Sequence, residues 1–361
     1  MKKKGLLILG FMLVLVLAVS GCDGNDNDTN GAGESDEIRI EMIAKGFQHD
    51  FWQAVLLGAE QAADELGVTI NFVGPANEAA IAEQIEMLTS AINRRPDAIG
   101  FAALDTSASI DALDRAMENG IPIIGFDSGV PDAPEGSILA NAATDNFAAG
   151  ALGAENMYRG IEEKLGNGPV RIGVVSQEVN SLSIYGRTRG FVDEMYALLE
   201  ANGSVGAGNI SIIGHDRFSN GVAEADAKVI IEVRVPAEVT DTAGRTEALT
   251  LLNRADLIGI FGSNEFSANA IVNAADGLSD GRIGNDVIAV GFDSGTLQND
   301  AVRQGLFFGS VTQDPVSMGA YTVRLAVAAI NGESVSDIDT GAQWYDAENI
   351  DDAEIQALLY D

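Results

Sequence analysis

The chain has 361 residues, 46% of them hydrophobic, and carries 54 Asp and Glu against 21 Lys and Arg, a formal charge of −33. That length predicts about two domains. The apolar content excludes a disordered acidic tail, and the charge excludes a partner built on phosphate backbones, so no nucleic acid is expected. One cysteine and two histidines exclude an internal disulfide framework and any Cys-based zinc centre, and leave little for His-dependent catalysis.

In chain order, Lys2, Lys3 and Lys4 form a positive segment, Gly5 to Val19 an apolar one, and Val19-Ser20-Gly21-Cys22 a small-residue cleavage site. Residues 1–21 therefore read as a signal peptide. Its end resembles a bacterial lipobox, which implies cleavage before Cys22 and lipid attached to that thiol; the competing reading is an ordinary signal peptide or a single membrane helix with a bystander cysteine. Several acyl chains on one cysteine anchor stably where a single chain is marginal. Without the three leader lysines the charge becomes −36, and only Lys45, Lys164 and Lys228 remain. A surface so poor in lysine and rich in carboxylate suits concentrated salt, which screens self-repulsion. Residues 22–37 are almost free of apolar side chains and read as a flexible acidic tether. Asp23, Asn25, Asn27, Thr29 and Glu34 fall near calcium-loop spacing, but Asp28 occupies the position that demands glycine and no amphipathic helices flank the stretch, so no metal is expected.

From residue 38, apolar strand patterns alternate with helical ones. Strands are predicted over 38–44, 68–73, 98–102 and 121–126, with helices over 52–66, 79–93 and 110–119 between them. The pattern restarts with a long helix over 146–165. It continues through strands at 170–175, 229–233 and 257–261, helices at 190–201 and 268–275 and another between the strands at 229–233 and 257–261. A strand at 287–292, a helix at 297–304, a strand at 307–312 and a strong helix at 317–330 follow. Strands this apolar, separated by helices, imply parallel sheets covered on both faces.

Two similar halves are visible. Gly125-Phe126-Asp127-Ser128-Gly129 recurs as Gly291-Phe292-Asp293-Ser294-Gly295, each time ending an apolar strand. Phe101–Ser107 and Phe261–Ser267 stand in matching places one unit earlier, and the excess length of the second half falls at 209–228. In open parallel sheets ligands bind beyond the carboxyl ends of strands. Those ends carry Lys45, Asp105, Asp127, Asn264, Asp293 and Gln313. Carboxylates, amides and a cation suit a neutral polyhydroxyl ligand, since a carboxylate accepts two hydroxyl hydrogen bonds. Phe51 and Trp52 offer flat faces for the C–H surface of a sugar ring, and His49 sits beside them. Each acid or amide also has a bland reading, as a solvated loop residue or a helix cap. No enzyme motif is convincing: Gly277-Leu278-Ser279-Asp280-Gly281 matches the nucleophile-elbow string, but a helix precedes it where that motif needs a strand.

Taken together, Phe51-Trp52, Ile121 through Asp127, Thr144-Asp145-Asn146, Arg187 through Phe191, Ser263-Asn264-Glu265, Val290 through Asp293 and Gln313-Asp314-Pro315 resemble the type I periplasmic sugar-binding proteins of ABC importers, the ribose-binding group in particular. The resemblance covers about residues 38–350. It implies an α/β fold of two Rossmann-like lobes with parallel sheets, joined by three crossovers near residues 144–145, 313–314 and 341–343. The amino-terminal lobe would comprise 38–144 plus 314–342, the carboxy-terminal lobe 145–313 plus 343–361. It also implies that Phe51 and Trp52 stack on the ligand, that Asp127, Asn264, Asp293 and Gln313 bind its hydroxyls, and that Phe292 contacts its ring. Ala102, Ser128, Tyr185 and Val239 depart from the ribose pattern. Tyr185 falls where an arginine contacts the sugar and Arg187 remains near it, while Lys45 and His49 replace small polar residues; Tyr185, Arg187, Lys45 and His49 are therefore expected ligand contacts too, and the cationic side of the site is rebuilt.

The expectation is a monomeric, extracytoplasmic, lipid-anchored solute-binding protein without cofactor or catalytic residues. It would close on a small sugar-like ligand and deliver it to an ABC permease with its cytoplasmic ATPase. A receptor feeding a chemoreceptor or sensor kinase is the alternative, and a nucleoside, polyol or furanosyl signalling molecule the alternative ligand. A lactose-repressor-like regulator would need an amino-terminal helix-turn-helix where this chain has a signal segment.

Overall fold

The computed structural model of the protein describes residues 37–360 apart from positions 48, 167, 279 and 280. Cys22 with its leader and tether, and Ser279, lie outside the described residues.

Nine elements build most of the first sheet layer: β1 (Arg39–Ile43), α1 (Asp50–Leu66), β2 (Thr69–Val73), α2 (Ile81–Arg94), β3 (Ala98–Phe101), α3 (Ile110–Glu118), β4 (Ile123–Phe126), β5 (Ala140–Ala143) and, much later in the chain, β12 (Ile338–Asp339). Their strands run β12-β5-β4-β3-β1-β2, every pair parallel. The second layer holds α4 (Asn146–Ile161), β6 (Val170–Val175), α5 (Leu182–Ala201), β7 (Ile210–Ile213), β8 (Val229–Arg234), α6 (Asp241–Leu252), β9 (Leu257–Gly262), α7 (Glu265–Ala275), β10 (Ile288–Phe292), α8 (Thr296–Arg303) and β11 (Gly309–Gln313). Its sheet runs β13-β11-β10-β9-β6-β8-β7, where β13 (Ala342–Tyr345) is the one antiparallel strand, along β11. Between the two late strands' sheets the chain has already passed back through α9 (Pro315–Ile330), which packs on α1, β3, β4 and β5. The short α10 (Ala353–Gln356) follows β13. The chain thus changes lobe after β5, after β11 and between β12 and β13.

Local chemistry explains the principal elements. All six residues of β6 are buried, as befits a strand covered on both faces. Gly67 ends α1 in the left-handed region at φ 66°. Asp314 caps α9, its carboxylate accepting from Ser317 N, with Pro315 at the first helical position.

The helix predicted over 190–201 begins eight residues earlier, at Leu182, where the Ser181 hydroxyl accepts from Ile184 N. Its first turns bury Ser183, Gly186, Thr188 and Gly190, small or polar residues without an apolar stripe, because the neighbouring helix is too close for larger ones. A Cβ on Gly190 would stand 2.1 Å from the Phe147 carbonyl oxygen of α4, and one on Gly150 of α4 would stand 2.1 Å from the Arg187 carbonyl oxygen. The first lobe repeats the device. A Cβ on Gly58 of α1 would meet the Val316 carbonyl at 1.9 Å, and one on Gly319 of α9 the Val55 carbonyl at 1.9 Å. Strands β5, β7, β12 and β13 were not predicted. Pairing with β4 and β12, rather than propensity, makes a strand of Ala-Asn-Ala-Ala. Strand β7 shows that the excess length at 209–228 includes an edge strand.

Candidate functional site

The two copies of the repeated pentapeptide end β4 and β10, and there each aspartate turns into the left-handed region, Asp127 at φ 53° and Asp293 at φ 72°. Asp is among the few side-chain-bearing residues that tolerate this conformation. The turn swings both carboxylates into a narrow space between the lobes, lined also by Lys45, His49, Phe51, Trp52, Asn264 and Gln313. Eight of the eleven expected ligand contacts are these; Arg187 is the ninth. Glu78, Ile184 and Glu265 complete the wall.

Arg187 is the hub. Its Nη1 donates to Asp293 at 3.2 Å, its Nη2 lies 3.7 Å from Asp127 in the other lobe, and its Nε donates to Asn146 Oδ1 at 2.7 Å. Asp293 accepts further bonds from the Glu265 backbone N–H at 3.1 Å and from Gln313 Nε2 at 2.5 Å. Asp127 is paired with Lys45 at 3.1 Å, and Lys45 also donates to Ser183 Oγ at 3.0 Å across the cleft. Burial alone would depress the Lys45 ammonium, but Asp127, Glu78 and Glu178 outweigh it and hold the group above the ordinary lysine range.

A second chain of bonds joins the lobes. Trp52 Nε1 donates to Glu78 Oε1 at 2.6 Å, Gln177 Nε2 donates to Glu78 Oε2 at 2.7 Å, and Asn264 Nδ2 donates to Gln177 Oε1 at 2.6 Å. Burial pushes the Glu78 carboxyl up, yet Lys45, His49 and the bonds from Gln177 and Trp52 hold it below the usual carboxylate range. Asn264 is also the cap of α7, its Oδ1 accepting from Ser267 N at 3.1 Å, so the reading of this residue as a helix cap holds. Glu265 differs from Glu78. Burial, with Asp293, Asp50 and Glu78 nearby, raises its pKa to about 9, and His49 Nδ1 lies 3.8 Å from its Oε1.

Phe51 and Trp52 stand edge to face, centroids 4.9 Å apart. The ring of Tyr360 packs on Phe51 at 6.1 Å, and its hydroxyl accepts from Ser294 N. Two expected contacts lie elsewhere. Tyr185 shares α5 with Arg187, but the helical repeat turns Ile184 and Arg187 to the cleft and Tyr185 away. It stacks on Phe218 at 5.6 Å, with the Arg217 guanidinium 4.4 Å from its ring centroid. Phe292 is wholly buried in the core behind Arg187, whose guanidinium stands 4.2 Å from its centroid. Asp105 closes its own loop, accepting from Ser107 and Ala108 backbone N–H groups. Glu78, Gln177 and Glu265 were missed, although all three follow the carboxyl ends of strands, where the same rule points.

Three buried polar atoms facing this space have no protein partner: His49 Nε2, Glu265 Oε2 and Gln313 Oε1. Residues 40–334 match the family described as periplasmic binding protein domain. The chain belongs to that family. A Brachyspira murdochii protein described as an ABC transporter, LacI family transcriptional regulator is 38% identical, with 90% of this chain and 99% of that one covered at a TM-score of 0.75. An ABC transporter solute-binding protein from Agrobacterium vitis, solved with bound D-fucose, is 30% identical over 89% of this chain and 100% of that one, TM-score 0.75. The D-allose-binding periplasmic protein of Escherichia coli (strain K12) is 24% identical over 153 residues, 41% of this chain. That match spans about half of the curated relative, 48% of its length. The two α/β lobes with mostly parallel sheets are the type I periplasmic binding protein fold, and the expected family is the one found.

Proposed function

We propose that the protein is an extracytoplasmic solute-binding component of an ABC importer that captures a small neutral sugar between its lobes. The observation that carries this is the set of unpartnered atoms His49 Nε2, Glu265 Oε2 and Gln313 Oε1, drawn from both lobes around one space. Each unmet buried polar group costs about 1–3 kcal/mol, and a hydroxyl, which both donates and accepts, can satisfy any of them. Asp127, Asp293, Asn264, Gln313, Lys45 and Arg187 would supply charged and amide partners, and Phe51 with Trp52 an apolar wall. The relatives' bound or named sugars support the same class of ligand.

On this reading the lobes, 38–144 plus 314–342 and 145–313 plus 343–361, move about the three crossings. Ligand favours the closed state by its differential affinity for it, the hinge motion known for this class of protein. The closed monomer is then read by a permease, while lipid on Cys22 keeps it at the membrane. Its role is binding, with no catalytic residue assigned. A thermal-shift screen of pentoses, hexoses, polyols and nucleosides tests the proposal. A ligand at a hundred times its Kd adds about 2.7 kcal/mol. Stabilisation by a nucleoside and by no sugar overturns the sugar reading.

A further inference from the structure

The central space is not the end of the cleft. His49 and Glu265 also line a second, outer space of about 670 Å3, open to solvent. From the first lobe Asn77 faces it; from the second, Thr240, Asp241, Phe266, Asn269 and Asn273 do. This wall offers three carboxamides, a hydroxyl and a carboxylate beside Phe266, and neither lysine nor arginine. Such a surface offers a phosphate or carboxylate no lysine or arginine, whereas amide and hydroxyl groups match sugar hydroxyls as donors and acceptors. Here too the lining residues carry unmet polar atoms: Asn269 Oδ1 has no partner among the described residues, and neither do His49 Nε2 and Glu265 Oε2, whose residues line both spaces. Glu265 is only 6% exposed, so its orphaned oxygen is a buried one.

We propose that the outer space is a second sugar subsite, so that the protein takes a glycoside of two units, one ring in the central space and the other between Asn77 and Asn269, with the linkage passing His49 and Glu265. The inference rests on the sugar reading above and names the size of the ligand. The central space is much the narrower of the two, so a second ring has to lie outside it. A linkage oxygen only accepts hydrogen bonds. The Glu265 carboxyl, protonated at neutral pH with its pKa raised to about 9 by burial and neighbouring acids, is able to donate one.

Calorimetry on the purified protein tests this with four pairs: D-galactose against lactose and melibiose, D-glucose against cellobiose and maltose, D-xylose against xylobiose, and L-arabinose against arabinobiose. The expected result is at least one disaccharide bound ten-fold or more tightly than either of its own monosaccharides. Asn269→Ala should then lose that gain and leave monosaccharide affinity unchanged. Asn273→Ala, at an exposed position, should lose part of the gain and guards against a folding defect in the first variant. Monosaccharides binding while every disaccharide binds more weakly overturns the second subsite and leaves the sugar reading standing, as does an equal loss for both classes in Asn269→Ala. Binding of no member of the panel overturns both.

Discussion

Asp127 and Asp293 are two of three residues other than glycine, among those described, with positive φ, and one guanidinium, that of Arg187, reaches both. Each is the central residue of a copy of the same pentapeptide, in a different lobe. The strained backbone, which costs on the order of 1–3 kcal/mol per residue, is kept where it directs a carboxylate into the cleft. Asp293→Ala should lower sugar affinity at least a hundred-fold in calorimetry, because it removes an acceptor and leaves Arg187 and Gln313 Nε2 without their partner. Truncating one member of a buried charge pair typically costs about 2–5 kcal/mol. Affinity within three-fold of the parent would refute the assignment.

Lys45 lies against Asp127, with Glu78 and Glu178 close enough to act on it. Lys45→Met should destabilise the protein by about 3–5 kcal/mol in urea unfolding, since it leaves buried carboxylates uncompensated. Its pKa is raised on folding, so the stabilisation is complete below the unfolded lysine value and is lost only as pH rises through the folded one. The variant's deficit should therefore be constant from pH 6 to pH 9. A deficit that vanished within that window would contradict the pairing.

Glu265 gives the opposite pH signature from a salt-bridged acid. Its pKa rises from an ordinary 4.5 to about 9 on folding, so at pH 7 the folded form holds a proton the unfolded chain has released. Stability therefore falls as pH climbs between those values. Glu265→Gln removes the titration, and its melting temperature should gain on the parent's progressively from pH 5 to pH 9. Parallel melting curves across that range would count against a neutral Glu265.

The bond from Gln177 to Glu78 spans the lobes. Gln177→Ala should shift the population toward the open form, seen as a larger radius of gyration in small-angle scattering at subsaturating sugar, with affinity reduced about ten-fold. An unchanged scattering profile would show that this bond does not hold the lobes together.

Salt should act on the whole molecule. Going from about 0.1 M to about 1 M sodium chloride shortens the Debye length from about 10 Å to about 3 Å. A chain at −33 should then melt several degrees higher. A flat or falling response would mean that the surface acidity is not a burden relieved by salt.

Much of this was legible in the sequence. The strand-end rule and the repeated pentapeptide led to Asp127 and Asp293, and apolar alternation led to the parallel sheets. Four kinds of signal were too weak. Strand β5 is made by its neighbours, not by its alanines. The start of α5 is written in glycines and serines that record contact with α4 rather than hydrophobic periodicity. Tyr185 and Phe292 were assigned from resemblance without fixing the helix phase or the depth of the strand, and these send one toward Phe218 and the other into the core. Glu78 lies five residues beyond its strand, so only the folded loop brings it to Trp52 and Gln177.

Where α1 meets α9 and α4 meets α5, backbone touches backbone, with no flexible side chain between to yield. Phe51 and Trp52 ride on one of these helix pairs and Arg187 on the other. The two jaws of the cleft are consequently stiff, and the tolerance that a softer pocket would absorb by repacking is passed to the hinge. On the proposed function, a sugar with one misplaced hydroxyl would meet jaws that fail to shut. Selectivity would then be expressed as a difference in overall shape, a form in which a membrane partner can read it without ever touching the ligand.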